Sequence, residues 1–196
     1  TSSGTTWRIT GCASSRASRA TIPPASSLIV SRTGSPTNSG VAISSGVPSV
    51  TFELRRMCER YLDIEPVVLG TGVKTGMPVL YDNPKEVGAD RIANAVGAFD
   101  LYGGPTIVVD FGTATTFDVI SGAGEYVGGA MIPGIEVSLD ALFGRAAALR
   151  RVELVEPRSV IGKTTVESIQ SGVIYGYSAM IDGMCDRIEE VIGKTD

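Results

Sequence analysis

Three strand-like runs in close succession constrain the fold more than any other feature of this chain. Residues 106–111, 115–120 and 126–132 are rich in β-branched and aromatic side chains, and their connections are rich in Gly and Ser. They read as a meander. Two helical stretches follow. One covers about residues 135–148. The other covers about residues 165–192, with Val166, Ile169, Val173, Tyr177, Met180, Met184, Ile188 and Val191 along one stripe. Gly172 and Gly176 sit four apart on that helix and would let another helix approach closely. A meander followed by helices predicts an α/β or α+β domain with a mixed sheet.

The preceding segment is also orderly. Val41-Ala42-Ile43 is a short strand candidate. Ser49 is placed to cap a helix over residues 50–61, with Val50, Leu54, Met57 and Cys58 on one face. Residues 66–69 read as a strand and residues 70–76 as a loop. Asn83-Pro84-Lys85-Glu86 has the pattern of a helix start. Ile92, Ala95, Val96 and Phe99 then give a helical face, ended by Gly103-Gly104-Pro105.

Residues 1–39 are different. Over residues 1–52 the only charges are Arg8, Arg16, Arg19 and Arg32, while residues 53–196 carry 13 basic and 21 acidic groups. Of the first 50 residues, 20 are Ser or Thr, and no helical or strand period runs through them. Only residues 27–31 could be a short strand. The composition fits a disordered or low-complexity segment, and equally an out-of-frame stretch of GC-rich coding DNA.

Composition excludes several kinds of chemistry. With no histidine in 196 residues, a Ser-His-Asp triad, a Cys-His pair and an HExxH zinc site are impossible within the chain. Cys12, Cys58 and Cys185 share no CxxC spacing and read as packing residues in a reducing compartment. A net charge of −4 makes no case for nucleic acid. No apolar run approaches the roughly 18 residues of a membrane span, and no leader pattern is visible. A cytoplasmic location without nucleic-acid or membrane partners is therefore expected.

Three strings carry chemistry. In Ile107-Val108-Val109-Asp110-Phe111-Gly112-Thr113-Ala114-Thr115-Thr116 an apolar strand ends in a carboxylate, then a glycine and hydroxyl residues. Such a hairpin could present backbone N–H groups, Gly112 foremost, to phosphate. Asp110 would hold a cation or an ordered water. A polar hairpin turn is the plainer alternative. In Gly88-Ala89-Asp90-Arg91, Asp90 could take a proton from a hydroxyl and Arg91 could grip a carboxylate or phosphate. A solvated charge pair on a helix is the alternative. Gly128-Gly129 and Gly134 flank a short apolar strand, as turn residues or as points where backbone approaches a ligand.

Together with Gly76-Met77-Pro78, the run Tyr81–Arg91, Tyr126-Val127-Gly128-Gly129, Ile132-Pro133-Gly134, Ile161-Gly162-Lys163-Thr164-Thr165 and Ser168-Ile169-Gln170-Ser171-Gly172, these strings make the chain from about Gly40 to Ile192 resemble the type III pantothenate kinases. The resemblance implies an actin-like, ribonuclease-H-like α/β fold of two related halves. Residues 40–104 would be the remnant of the first half with the substrate segment. Residues 105–196 would be the second half, largely present but cut short, after an atypical segment 1–39. The resemblance also implies ATP-dependent phosphorylation of pantothenate to 4'-phosphopantothenate, the first step of coenzyme A synthesis. It implies a homodimer, ATP with Mg2+ or another divalent metal, and a monovalent cation, usually K+. By the same likeness Asp90 would be the proton acceptor. Tyr81, Gly88, Ala89, Asp90, Arg91 and Thr165 would line the pantothenate site, Asp110 would hold the monovalent cation, and Thr113 would touch ATP phosphate.

The family opens with a strand and a D-x-G-N-T phosphate loop. Residues 1–52 contain no Asp, so a weakened hold on ATP is expected. A non-catalytic pantothenate-binding accessory protein is the alternative function.

Overall fold

The computed structural model describes residues 31–33, 40–45, 48–70, 74–146, 149 and 151–193. The readings made for residues 1–30, including most of the short strand at 27–31, lie outside them, as do those for 34–39 and for the middle of the 70–76 loop.

Among the described residues there are two three-stranded sheets, and the first runs β1 (Ser31–Thr33), β2 (Gly40–Ser44), β3 (Val67–Leu69). β1 lies antiparallel to β2, with Arg32 opposite Val41, inside the segment read as aperiodic. β2 and β3 are parallel, so the chain between them must cross over. It does so through α1 (Pro48–Met57) and one widened π turn, Cys58–Leu62. Pro48 suits the first turn, where its missing N–H has no partner to lose. Val41, Ile43 and Cys58 form a small core with Leu54, Ile64 and Val68. Met57, predicted to share that face, is 42% exposed. Cys58, predicted beside it, is buried, four residues on from Leu54, where the widened turn begins. Asp63 closes the turn in the left-handed region at φ 50°, which Asp tolerates better than most residues.

Asn83 caps as expected, accepting from the Lys85 N–H at 3.3 Å. It caps a separate 3-10 turn, Pro84–Glu86, rather than the long helix. Val87 and Gly88 are extended, which lets Val87 drop into the core before α2 (Ala89–Tyr102) begins.

The second sheet is an antiparallel meander of β4 (Thr106–Phe111), β5 (Ala114–Ile120) and β6 (Tyr126–Pro133). Central β5 is buried on both faces from Thr115 to Ile120. One face takes α2, whose Ile92, Val96 and Phe99 pack with Ala95 against Ile120, Tyr126, Met77 and Val87. α2 also touches β2 and β3, so it joins the two sheets. α3 (Ile135–Arg145) contacts β5. It stops three residues short of the expected end, and residues 147 and 148 are not described. α4 (Thr165–Ile192) has the predicted bounds and is capped by Thr164, which accepts from the Glu167 N–H at 3.1 Å. Tyr177 anchors α4 to the end of β6 by donating to the Pro133 carbonyl at 3.1 Å. The chain is thus α/β. Among the described residues no helix is long and apolar enough to cross a membrane.

Candidate functional site

Strand alternation places Val108 and Asp110 of β4 on the same face as Thr116, Asp118 and Ile120 of β5, because Asp110 pairs with Thr116 and Val108 with Asp118. The first turns of α2 lie over this face. Arg91 and Asn94, three apart, point at neighbouring strands. The Arg91 guanidinium reaches Asp118 Oδ1 through both Nε and Nη2, each at 2.7 Å. Asn94 donates to Asp110 Oδ2 at 3.1 Å.

Asp118 is fully buried, and both of its oxygens accept hydrogen bonds. Besides Arg91, the Tyr126 hydroxyl donates to Oδ1 at 2.6 Å, and the Thr116 hydroxyl donates to Oδ2 at 3.3 Å. The Arg91 guanidinium lies 5.9 Å from the centroid of the Tyr126 ring, a cation–π contact. Burial alone would lower the Arg91 pKa, but hydrogen bonding and attraction from Asp118 outweigh it and raise it. Burial, then Asp118, raises the Tyr126 phenol above its usual range, so it stays a donor.

Asp110 is in the opposite situation. It is half-buried, and burial raises its pKa first, followed by the negative charges of Asp90 and Asp118; only the Asn94 hydrogen bond opposes them. Asp90 stands on the first turn of α2. Its Oδ1 accepts the Arg91 N–H at 3.0 Å, folding the carboxylate back over Gly88. A Cβ at Gly88 would run into that oxygen, so glycine there is a requirement of the fold-back.

The structure brings Gly88, Ala89, Asp90, Arg91 and Asp110 together, and Tyr81 joins them through Tyr126, with ring centroids 6.4 Å apart. Thr113 sits exposed at the tip of the β4–β5 hairpin. Its carbonyl accepts from the Gly134 N–H at 2.9 Å. Thr165 is exposed at the start of α4 and makes no hydrogen bond to the cluster. The Gly112 N–H, expected to face an oxyanion, instead donates to the Ala114 carbonyl at 3.0 Å and closes the turn.

The Gly128-Gly129 pair serves the sheet. The register of β6 shifts by one residue at Val127, and Gly128 takes φ 142° there, a conformation that side chains with a Cβ rarely adopt. A Cβ at Gly129 would run into the Phe117 carbonyl and come within 3.3 Å of Arg91 Nη2.

Asp118, Asn94, Thr116 and Tyr126 were not among the expected site residues. One signal for Asp118 was present: it is the only charged residue in the strand-like run 115–120. Among the described residues, no three His, Cys, Asp or Glu side chains are grouped to hold a metal ion.

Comparison with known proteins gives one consistent answer. The sequence pattern of the family described as "Type III pantothenate kinase" matches residues 2–187. A protein of that name from Streptomyces griseus subsp. griseus is 59% identical over 152 residues, 77% of this chain and 57% of its own length. Another, from Anaeromyxobacter dehalogenans strain 2CP-C, is 58% identical over 150 residues, 76% of this chain and 59% of its own. The chain thus spans rather more than half the length of the curated relatives it matches. A solved Baf family protein from Campylobacter jejuni superposes with a TM-score of 0.44 at 23% identity, covering 67% of this chain and 59% of that one. That likeness is too loose to carry an argument.

Proposed function

Because the chain belongs to the type III pantothenate kinase family, we propose that it serves the ATP-dependent phosphorylation of pantothenate to 4'-phosphopantothenate, the first step of coenzyme A synthesis. The observation that supports this most directly is the grouping of Asp90, Arg91 and Asp110 at one end of α2. Asp90 would accept the proton of the pantothenate primary hydroxyl as that oxygen bonds to the γ-phosphorus of ATP and the bond from that phosphorus to the departing ADP oxygen breaks. Arg91 holds the substrate carboxylate, with Tyr81, Gly88 and Ala89 beside it. Thr165 completes the lining in the assembled enzyme.

ATP with a divalent cation supplies the phosphoryl group and offsets its charge. The residues present fit this on one side: the hairpin tip is exposed, and the Thr113 hydroxyl stands free to meet a phosphate oxygen. They also fit a monovalent cation such as K+. Asp110 carries a charge made costly by burial and by Asp90 and Asp118, with one amide donor to offset it. A bound cation relieves that cost.

The finer fold proposal is an actin-like pair of halves, residues 40–104 and 105–196. Two separate sheets bridged by α2 support it. We also propose a homodimer through the α4 face that carries Gly172 and Gly176, where a Cβ would meet open space. Gly176→Ala then raises monomer stability by up to about 1 kcal/mol yet weakens self-association, read by light scattering.

The kinase reading is tested by ADP release with and without pantothenate. Pantothenate-dependent release that Asp90→Asn abolishes supports it. Release unaffected by either removes it.

A further inference from the structure

We propose that Asp118 is a positioning residue that sets specificity for the carboxylate end of the substrate by locking Arg91. This rests on the reading of Arg91 as the substrate counterion. Arg91 has five N–H donors in a rigid plane. Asp118 engages Nε and Nη2 on one edge, both through Oδ1. That leaves the two Nη1 hydrogens and one Nη2 hydrogen on the other edge. The Tyr126 ring flanks the guanidinium, and Gly129 passes beside Nη2 without a Cβ. The side chain is only 14% exposed, so its free edge has little choice of direction.

Asp118 is itself immobilised. It is fully buried, and the hydroxyls of Tyr126 and Thr116 hold one oxygen each. A carboxylate held this way is a fixed anchor for the guanidinium.

The lock has a second use. Asp90 and Asp110 both act on this region, and each is an alternative partner for a released guanidinium. Without Asp118, Arg91 is drawn toward the carboxylates that the reaction needs free. Two effects therefore compete when Asp118 is neutralised. Removing a negative charge strengthens the pull of Arg91 on an anionic substrate. Releasing Arg91 loses its aim and lets it collapse onto Asp90 or Asp110. The near-complete burial of the pair makes the second effect win, because an unpartnered buried guanidinium does not stay in place.

The test is calorimetry of the full chain and of Asp118→Asn with two ligands. One is pantothenate, and the other is its analogue with a hydroxymethyl group in place of the carboxylate. Asp118→Asn is expected to weaken pantothenate about 10-fold to 100-fold and to weaken the analogue by a clearly smaller factor. Equal weakening of both ligands indicates a merely structural role and overturns the proposal, as does unchanged or tighter pantothenate binding. If Asp118→Asn does not fold, Tyr126→Phe keeps the carboxylate and removes one of its anchors. A several-fold loss confined to pantothenate supports the lock, and no ligand-selective change overturns it. The underlying reading fails separately, when the unaltered chain binds no pantothenate or does not distinguish it from the analogue.

Discussion

Tyr126→Phe removes one hydroxyl and leaves the ring that fills the core. Tyr126 is fully buried and donates to Asp118 Oδ1 at 2.6 Å. A hydrogen bond to a charged group contributes about 1.5–3 kcal/mol. The lower part of that range applies, because Oδ1 keeps both bonds from Arg91. A loss of roughly 1.5–2 kcal/mol lowers the melting temperature of a chain this size by about 3–8 °C. The effect has its own pH signature. The folded phenol titrates above its ordinary value of 10.0, for reasons of burial first and Asp118 second. Below pH 10 it holds its proton in both folded and unfolded states and adds no slope. Above pH 10 the unfolded phenol loses its proton while the folded one keeps it. Wild-type stability then falls by up to about 1.4 kcal/mol per pH unit more than that of the variant. Thermal unfolding by circular dichroism at pH 7 and at pH 10.5–11 reads both effects. The gap between the two proteins is expected to be full at neutral pH and to close in alkali. A melting temperature within about 1 °C of wild type at pH 7, or a gap that stays constant into alkali, refutes the reasoning.

Other outcomes follow from neighbouring residues. Asp90→Asn is expected to lower turnover by roughly 10²–10⁴-fold with the circular dichroism spectrum unchanged. Asp110→Asn is expected to stabilise the fold as pH rises above 3.8, because the raised carboxylate pKa makes ionisation costly in the folded state. Below that pH the gain disappears, and equal unfolding midpoints at pH 7 would contradict this. Gly134→Ala pushes a Cβ into the Gly112 carbonyl and to 2.7 Å from the Thr113 carbonyl. It is expected to cost about 1–3 kcal/mol in denaturant unfolding and to weaken nucleotide binding more than pantothenate binding.

Much of the fold was legible because the local signals agreed with one another. The apolar stripe of α4 gave its range as about 165–192, and in the structure Thr164 caps it and Gly193 stands just past its end. The meander was legible for the same reason, since β-branched runs and glycine connections coincide. The misses come from tertiary demands. Pro84–Glu86 separates from α2 because Val87 is needed in the core, which no helical period reveals. Met57 stands exposed where α1 gives way to a π turn, a transition that leaves no sequence mark. In the site, Asp90, Arg91 and Asp110 were visible as chemistry in a glycine-rich setting. Asp118 and Asn94 were not, because their roles depend on which strand faces which turn of α2, and only the register supplies that.

The start of β6 has a consequence for motion. The Tyr126 backbone accepts from the Leu80 N–H and donates to the Pro78 carbonyl, each at 2.8 Å, while its side chain grips Asp118. One residue thus fastens the segment that carries Tyr81 and, through Asp118, the guanidinium of Arg91. The two flanks of the proposed substrate site share a rivet. A displacement of β6 carries both with it, so they translate as a unit rather than separating.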